Sequence, residues 1–246
     1  MQEMKIGDID LAEFGARLLS FSVGGTNLTR TTGNSFNANF PKVFHTDFGQ
    51  RTITVTVVFK PDPKIKGIIS KLHHLAMNKS AFDALMFSGT VDLWLPDGFY
   101  YHCSTMSVGD ENSDGESLEV TYTLNGIRHG SLSTQKGMTV YCNSTVKKTD
   151  CKITLTIADT LPADTTLRIL VNRDTSEYNS IKISHVQPGD EIVIDSINTS
   201  VTKNGVNIFG DTNIIEFPTL IPGENTYTLV NQADITFTTE FYPIFV

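Results

Sequence analysis

The sequence predicts a mainly β protein with two domains: an N-terminal β-barrel or sandwich-like domain with one α-helix, then a C-terminal β-sandwich. Three observations lead to this prediction. Short runs with apolar residues at every second position recur along the chain. Pro-Gly and Asn-Gly pairs, which favour tight turns, separate such runs after residue 187. Only one stretch, which follows Asp62, combines helix-start residues with apolar residues at helical spacing.

The N-terminal domain is predicted to span residues 1–132. Its first long strand, RTITVTVVF, places alternate apolar residues on one face: Ile53, Val55, Val57 and Phe59. The run VDLWLPDGFYYHC predicts a hairpin around its Pro-Asp-Gly turn. A further strand, SLEVTYTL, also directs alternate residues inward: Leu118, Val120, Tyr122 and Leu124. These runs predict a sheet with one buried face.

A helix is predicted at about residues 62–77. Asp62 is a typical N-cap residue, and Pro63 fits the first helical position, where its missing N–H costs nothing. Apolar residues then recur at helical spacing: Ile65, Ile68, Ile69, Leu72, Leu75 and Ala76. We expect this face to pack on the sheet.

Residues 26–50 form a polar connection that is long for a compact domain. Its aromatic residues recur every four positions: Phe36, Phe40, Phe44 and Phe48. Two interpretations stay open. In one, the rings of a wandering loop fold back onto the domain's own core. In the other, the segment is an arm that docks on a neighbouring subunit and buries its rings there.

The C-terminal domain is predicted to span residues 137–246. The boundary is expected within the Gly- and Ser-rich residues 125–137. About nine short strand-like runs follow, including CKITLTI, EIVIDS, GVNIF and IIEFP, which is typical of a β-sandwich. Turn residues punctuate them: Pro188-Gly189 and Pro222-Gly223 fit type II turns, and Asn204-Gly205 fits a two-residue hairpin.

The end of this domain resembles the C-terminal signature of the distal tail proteins of siphophages. The residues that carry the resemblance keep their spacing over about forty positions: Gly189, Asp190, Ile194, Asp195, Val201, Asn204, Gly205, Phe217, Pro218, Leu220, Pro222, Gly223 and Asn225. The order of strands around one helix in the N-terminal half is also similar to that family. The resemblance implies that the signature residues shape turns.

The family resemblance further implies a galectin-like or carbohydrate-binding-module-like fold for the C-terminal sandwich. It implies a homohexameric ring at the virion tail tip, assembled in the bacterial host cytoplasm. The partners implied are a tail tube protein, a tail-associated hub protein and receptor-binding proteins. The alternative is a carbohydrate-binding protein that attaches to host cell-wall glycans. The C-terminal half lacks tryptophan, so sugar stacking would fall to Tyr178, Tyr227 or Tyr242.

Composition and motifs argue against other classes. The net charge is −8, whereas specific nucleic-acid binders need basic surface, so DNA is expected only to pass through the ring. No membrane-inserting segment, catalytic motif or cofactor motif is found in the sequence, and neither an enzyme nor a cofactor is expected. The run DENSDGES starts like a calcium loop at Asp110, Asn112, Asp114 and Gly115, but Thr121 replaces the bidentate Glu, which favours an acidic turn.

Overall fold

The structure is a computed structural model that describes residues 3–26, 28–33, 42–158, 160–172, 180–230 and 234–246; for residues 28–33 and 42–48 it describes the backbone. Contacts divide the chain into two compact units, Met1–His129 with Val246 and Gly130–Phe245. The predicted fold class is confirmed, since strands dominate both units and one α-helix is found in the described part of the chain.

One antiparallel sheet forms the N-terminal unit, with strand order β2-β1-β7-β8-β10-β6-β3 and β9 paired to β10. The strands have these bounds: β1 Lys5–Ile6, β2 Ile9–Asp10, β3 Ala16–Val23, β4 Leu28–Gly33, β5 Lys42–Phe48, β6 Arg51–Phe59, β7 Thr90–Trp94, β8 Tyr100–Val108, β9 Asn112–Ser113 and β10 Leu118–His129. Strands β4 and β5 form a separate two-stranded ribbon. The inward residues predicted for β6 and β10 are all buried, which confirms the period-two pattern.

The helix prediction has the wrong bounds, because α1 runs from Ile68 to Met86. Asp62 caps a short turn, in which its side chain accepts from the N–H of Lys64 and its carbonyl accepts from the N–H of Ile65. Gly67, at φ 84°, then separates this turn from the helix, since a left-handed residue cannot continue a right-handed one.

The buried face of α1 also differs from the prediction. Leu75, Phe82 and Met86 are buried, whereas Ile68, Ile69 and Leu72 are exposed. Phe82 anchors the helix through edge-on contacts with Phe14, Phe59 and Tyr122, at centroid distances of 5.5, 5.5 and 5.2 Å. Thus the helix packs through Leu75, Phe82 and Met86, and its first turn is exposed.

Two antiparallel sheets form the C-terminal unit. One has the order β11-β21-β13-β16-β17-β18 with β19 on β13, and the other has the order β12-β20-β14-β15. The strands have these bounds: β11 Ser133–Lys136, β12 Thr139–Cys142, β13 Thr149–Ile157, β14 Thr165–Val171, β15 Ser180–Val186, β16 Glu191–Asp195, β17 Ser200–Lys203, β18 Val206–Asn207, β19 Thr219–Leu220, β20 Gly223–Leu229 and β21 Ile235–Phe241. Side chains from both sheets share one apolar cluster, as in a sandwich.

One sequence prediction in this half needs correction. The run IIEFP is not a strand; residues 214–218 form an irregular connection that leads into β19. The Gly- and Ser-rich residues 125–137, where the boundary is expected, include the end of β10 and all of β11, and the two compact units divide within them, after His129. Gly126 lies inside β10 because the backbone there approaches β8 closely, and a Cβ atom would lie 2.4 Å from the Cβ of Cys103.

Candidate functional site

The ribbon formed by β4 and β5 continues the hairpin formed by β3 and β6. Val23 pairs with Ile53 in the sheet, and Leu28 pairs with Phe48 in the ribbon. Five residues on each strand separate these pairs, so both ladders share one register. Between them, the N–H of Gly24 donates to the carbonyl of Thr52 at 2.8 Å. The two ladders are therefore parts of one long hairpin.

The ribbon is the part of this hairpin that leaves the sheet. Within the described residues, β4 and β5 pair with each other and with no further strand. A two-stranded ribbon is marginally stable in water by itself, so it gains stability from any surface that covers it. A ribbon that pairs only with itself is the geometry expected of an arm that docks on a neighbouring subunit.

The predicted arm residues fall on this ribbon only in part. Phe44 and Phe48 belong to β5, where the backbone is described, and the register shift between Thr31 and Thr32 skips Phe44. Phe36 and Phe40 lie outside the described residues, as does the choice between a docked arm and a folded-back loop. The arm interpretation thus stays a prediction.

The first half of α1 presents a second candidate surface. Ile68, Ile69 and Leu72 are 63%, 81% and 43% exposed. We call these three residues the α1 apolar face. Nearby polar contacts hold the helix in place: Lys71 donates to Glu116 at 2.6 Å.

A second polar cluster fixes the second half of α1. The hydroxyl of Tyr122, on β10, donates to the Asp83 carboxylate at 2.7 Å. Lys79 bridges Asp83 and Glu111, the latter at 3.1 Å. Burial and then the Asp83 hydrogen bond raise the pKa of Tyr122, and the two carboxylates raise the pKa of Lys79 despite its own desolvation. Tyr122 therefore stays a donor and Lys79 stays charged at neutral pH.

The signature residues of the C-terminal unit form hydrogen-bonded turns. Asn204 donates from Nδ2 to Oδ1 of Asp190 at 2.8 Å and accepts from the N–H of Glu191 at 2.9 Å. Oδ2 of Asp190 accepts from the N–H of Gln187 at 2.8 Å, across the Pro188-Gly189 turn. The structure thus joins two turns, fourteen residues apart in the sequence, through two side chains.

The backbone at these turns has the conformations that the residue types favour. Asn204 and Gly205 have φ values of 49° and 79°, as a type I′ hairpin requires, and Lys203 pairs with Val206 across it. Gly189 and Gly223 have φ values of 77° and 92°, which suits glycine after proline in a type II turn. These glycines serve backbone geometry.

Asn225 organises the third turn from a fully buried position. Its Nδ2 donates to the carbonyls of Ile221 and Gly223, and its Oδ1 accepts from the N–H of Ile221 at 2.9 Å. Asn172 also donates to Oδ1, at 3.1 Å, and accepts from the N–H of Thr226. This side chain therefore links the Pro222-Gly223 turn to the end of β14.

The remaining signature residues are structural as well. Asp195 accepts from the N–H groups of Ile197 and Asn198, both at 3.0 Å, and so closes the turn after β16. Leu220 is fully buried, and Phe217 packs against the same core. The carbonyl of Pro218 accepts from the Cys151 thiol at 3.5 Å. These signature side chains thus take part in turns and in the core of the unit.

Other candidate chemistry is weak in the described part of the chain. Asp114 accepts from the N–H groups of Glu116 and Ser117, which lower its pKa and commit the carboxylate to an acidic turn. No cluster of described residues fits a metal ion. The three cysteines are free and buried, and burial raises the pKa of Cys103 and Cys151 to about 12, which makes them poor nucleophiles.

The three tyrosines considered for sugar stacking differ in their exposure. Tyr227 is buried and stacks on Phe237 at 5.6 Å, so its ring face is covered by protein. Tyr242 is 43% exposed, and Tyr178 lies outside the described residues. Among the described residues, no helix has the length and hydropathy needed to cross a membrane.

Comparisons with known proteins agree with this picture. Residues 148–245 match the family model described as siphovirus-type tail component, C-terminal domain. No curated protein sequence matches the chain significantly. The crystal structure of the Dit protein of phage SPP1, described as a paradigm of the hub adsorption apparatus of phages that infect Gram-positive bacteria, is similar with a TM-score of 0.72 and 13% identity, over 98% of this chain and 99% of that one.

The structures of the phage P2 baseplate in its activated conformation contain a similar chain. With calcium the TM-score is 0.58, and with strontium it is 0.56; both matches have 13% identity and cover 100% of each chain. The predicted resemblance to siphophage distal tail proteins is thereby confirmed: residues 148–245 match the siphovirus-type tail component C-terminal domain, and the fold of nearly the whole chain is similar to that of the SPP1 Dit protein.

Proposed function

We propose that this protein is a hub subunit of the tail tip or baseplate of a long-tailed phage. In this role it forms a homohexameric ring that joins the tail tube protein to the tail-associated hub protein. Residues 1–132 build the ring, and residues 137–246 form an outer domain that carries receptor-binding proteins. The ring is assembled in the host cytoplasm and acts as structure rather than as an enzyme.

The observation that carries this proposal is the agreement between fold and family. The fold of the SPP1 Dit protein extends over nearly the whole chain, and the tail-component family covers most of the C-terminal unit. The SPP1 protein is described as part of a hub adsorption apparatus, and the P2 structures are of a baseplate. A fold alone does not fix a function, but here a tail-specific family accompanies it.

The N-terminal unit supports a role in assembly. Its long hairpin extends beyond the sheet as a self-paired ribbon, and its helix carries an exposed apolar face. Both features are unfavourable in a monomer and favourable at an interface. They supply a ring with one projecting element and one receiving surface.

Charge supports a passive relation to DNA. The chain has a net charge of −8. A ring whose lumen carried this acidity would repel phosphate and let DNA pass without gripping it. Specific nucleic-acid binding is not part of the proposed function.

The mass of the protein in solution tests the ring. Six copies of 27.1 kDa give about 163 kDa. We expect light scattering to give this mass and negative-stain images to show six-fold rings. A chain that stays at the monomer mass at every accessible concentration would contradict the proposal.

A glycan-binding measurement separates the alternative function. The full-length protein is incubated with host cell walls and with a glycan array. We expect no saturable binding, since Tyr227 is buried and the C-terminal unit has no tryptophan. Saturable binding without ring formation would favour the carbohydrate-binding protein instead.

A further inference from the structure

We propose that the α1 apolar face, formed by Ile68, Ile69 and Leu72, is the surface on which residues 34–41 of a second copy of this chain dock. The inference rests on the proposed ring, because it names the receiving surface for the arm. It also predicts a specific pair of regions that a ring built in any other way would not bring together.

The three side chains of the α1 apolar face are neighbours on the helix surface and not isolated apolar residues. Ile69, at 81% exposed, is followed one turn later by Leu72, and Ile68 extends the same surface towards Gly115. A Cβ atom on Gly115 would lie 3.3 Å from Cδ1 of Ile68, so this loop already contacts one edge of the face. Contiguous exposed apolar surface of this kind is typical of a docking site.

The α1 apolar face is also held in place before any partner binds. Lys71 pairs with Glu116 at 2.6 Å, and Lys79 pairs with Asp83 and Glu111. The hydroxyl of Tyr122 fixes Asp83 from the sheet. A preformed surface avoids the ordering cost of binding, which favours its use in assembly.

The occupant follows from the sequence between β4 and β5. Residues 34–41 read NSFNANFP and contain two phenylalanines and no charged residue. They join Gly33 to Lys42, the last pair of the ribbon. An uncharged segment with two rings can cover an apolar face without desolvating an ionised group.

The length of the ribbon favours a second copy as the source of this segment. Nine residues separate Gly24, which bonds to Thr52 at the end of the sheet, from Gly33 at the end of the ribbon. At about 3.3 Å per residue the ribbon reaches up to about 30 Å, the diameter of a small domain. An arm of that reach is long enough to bring residues 34–41 to the surface of a neighbouring copy.

The local charge limits the choice of partner. Lys64 and Lys66 are exposed just before α1, so a basic segment would be repelled there. The adjoining loop carries Glu116, whose side chain is 70% exposed, so an acidic segment would meet repulsion on that side. Residues 34–41 meet neither penalty, because they carry no charge.

Cysteine cross-linking between two variants tests the proposal. Full-length Phe40→Cys and Ile69→Cys proteins are purified separately, mixed, and treated with a short bis-maleimide reagent. We expect a covalent heterodimer of about 54 kDa, twice 27.1 kDa, on a denaturing gel and by mass spectrometry. Because the two cysteines are on different chains, this product reports docking between copies. The native cysteines are buried, so the unaltered protein should not react.

A matched control uses Met106→Cys in place of Ile69→Cys, since Met106 is 60% exposed on β8. Docking raises the local concentration of the two thiols to about the millimolar range, so the Ile69 pair should exceed the Met106 pair by roughly tenfold. Leu72→Cys serves as a second partner if the Ile69 variant is impaired. Light scattering on the same mixture gives the state of assembly.

The outcomes distinguish the inference from the ring itself. Rings with no excess of cross-link at Ile69 or Leu72 over Met106 would overturn the docking site and leave the ring standing. Monomers with no cross-link would overturn both. Rings with selective cross-linking to Phe40 would support both.

Discussion

Two hairpins of this chain differ in how far the rest of the same chain supports them. The Asn204-Gly205 hairpin closes on itself: Asn204 bonds to Asp190 and Glu191, and its neighbours belong to the sandwich. The β4–β5 ribbon continues the β3–β6 ladder and, among the described residues, pairs with no further strand. The first hairpin is therefore supported by its own chain, whereas the proposed function gives the second a partner subunit to pack against. Under this proposal, architecture and assembly fall to different hairpins.

Deletion of residues 34–44 is expected to have the largest effect, and it tests the role of the β4–β5 ribbon in assembly. We expect both units to stay folded, because the paired strands β3 and β6 hold the sheet without the ribbon's end. We expect ring formation to be lost, since the arm is removed. Light scattering and circular dichroism measure the two effects. Rings of normal mass would show that the arm is dispensable.

Asn225→Ala should show the opposite behaviour. The substitution removes a fully buried amide that serves the backbone of Ile221 and Gly223 and the side chain of Asn172. We expect the free energy of unfolding to fall by about 3 kcal/mol, because buried backbone groups lose their partners. Urea unfolding measures it, with the exposed neighbour Glu224→Ala as control. A change below that of the control would contradict the structural role of the turn.

Alkaline pH should weaken the cores of both units. Burial raises the pKa of Cys103 and Cys151 from 9.0 to about 12, so the folded state keeps protons that the unfolded state releases. Their contribution is fully present below pH 9 and is lost as the pH rises towards about 12. Each thiol should add a slope of up to about 1.4 kcal/mol per pH unit to the fall in unfolding free energy.

The pH dependence has a direct control in the cysteine variants. Urea unfolding between pH 8 and pH 10 is compared for the unaltered protein, Cys103→Ala and Cys151→Ala. Each variant should have a shallower slope, whatever its stability at pH 8. An unchanged slope in both would show that these thiols titrate alike in the folded and unfolded states.

Gly205→Ala is expected to have the smallest effect. Space is available for the methyl group, since no atom lies within 4 Å of the Cβ position. The cost comes from φ 79°, which an L-residue adopts at a penalty of about 1 kcal/mol. Gly210 has equally open space and no positive φ, so Gly210→Ala is a matched control. Equal effects at the two sites would contradict the type I′ turn.

The sequence predicted the elements that depend on local patterns. Alternation in RTITVTVVF and SLEVTYTL indicated which residues are buried, because a strand directs neighbouring side chains to opposite faces. The Asn204-Gly205 and Pro-Gly turns followed from residues that tolerate positive φ. The spacing of the signature residues pointed to the tail-protein family, which the C-terminal match supports.

Predictions failed where Gly67 interrupted the helical pattern and where contacts distant in the sequence decided which residues are buried. Asp62 and Pro63 satisfied the rules for a helix start, yet α1 begins at Ile68, after Gly67. The buried face depends on Phe82, which packs on Phe14, Phe59 and Tyr122 from other elements. Residues 125–137 are rich in glycine and serine, yet they include strand residues, and Gly126 is required by the close approach of β8. A local sequence pattern cannot predict such contacts, because the residues that make them are far apart in the sequence.

The sequence by itself thus determined the class of fold, the turns of the C-terminal unit and the family resemblance, because local backbone preference and spacing fix all three. The packing of α1 on the sheet decided which of its apolar residues are buried and which form the exposed α1 apolar face. Tertiary structure also revealed that β4 and β5 keep the register of β3 and β6, since register is a relation between strands and is not written in either one. The proposed assembly surfaces arise from those two relations.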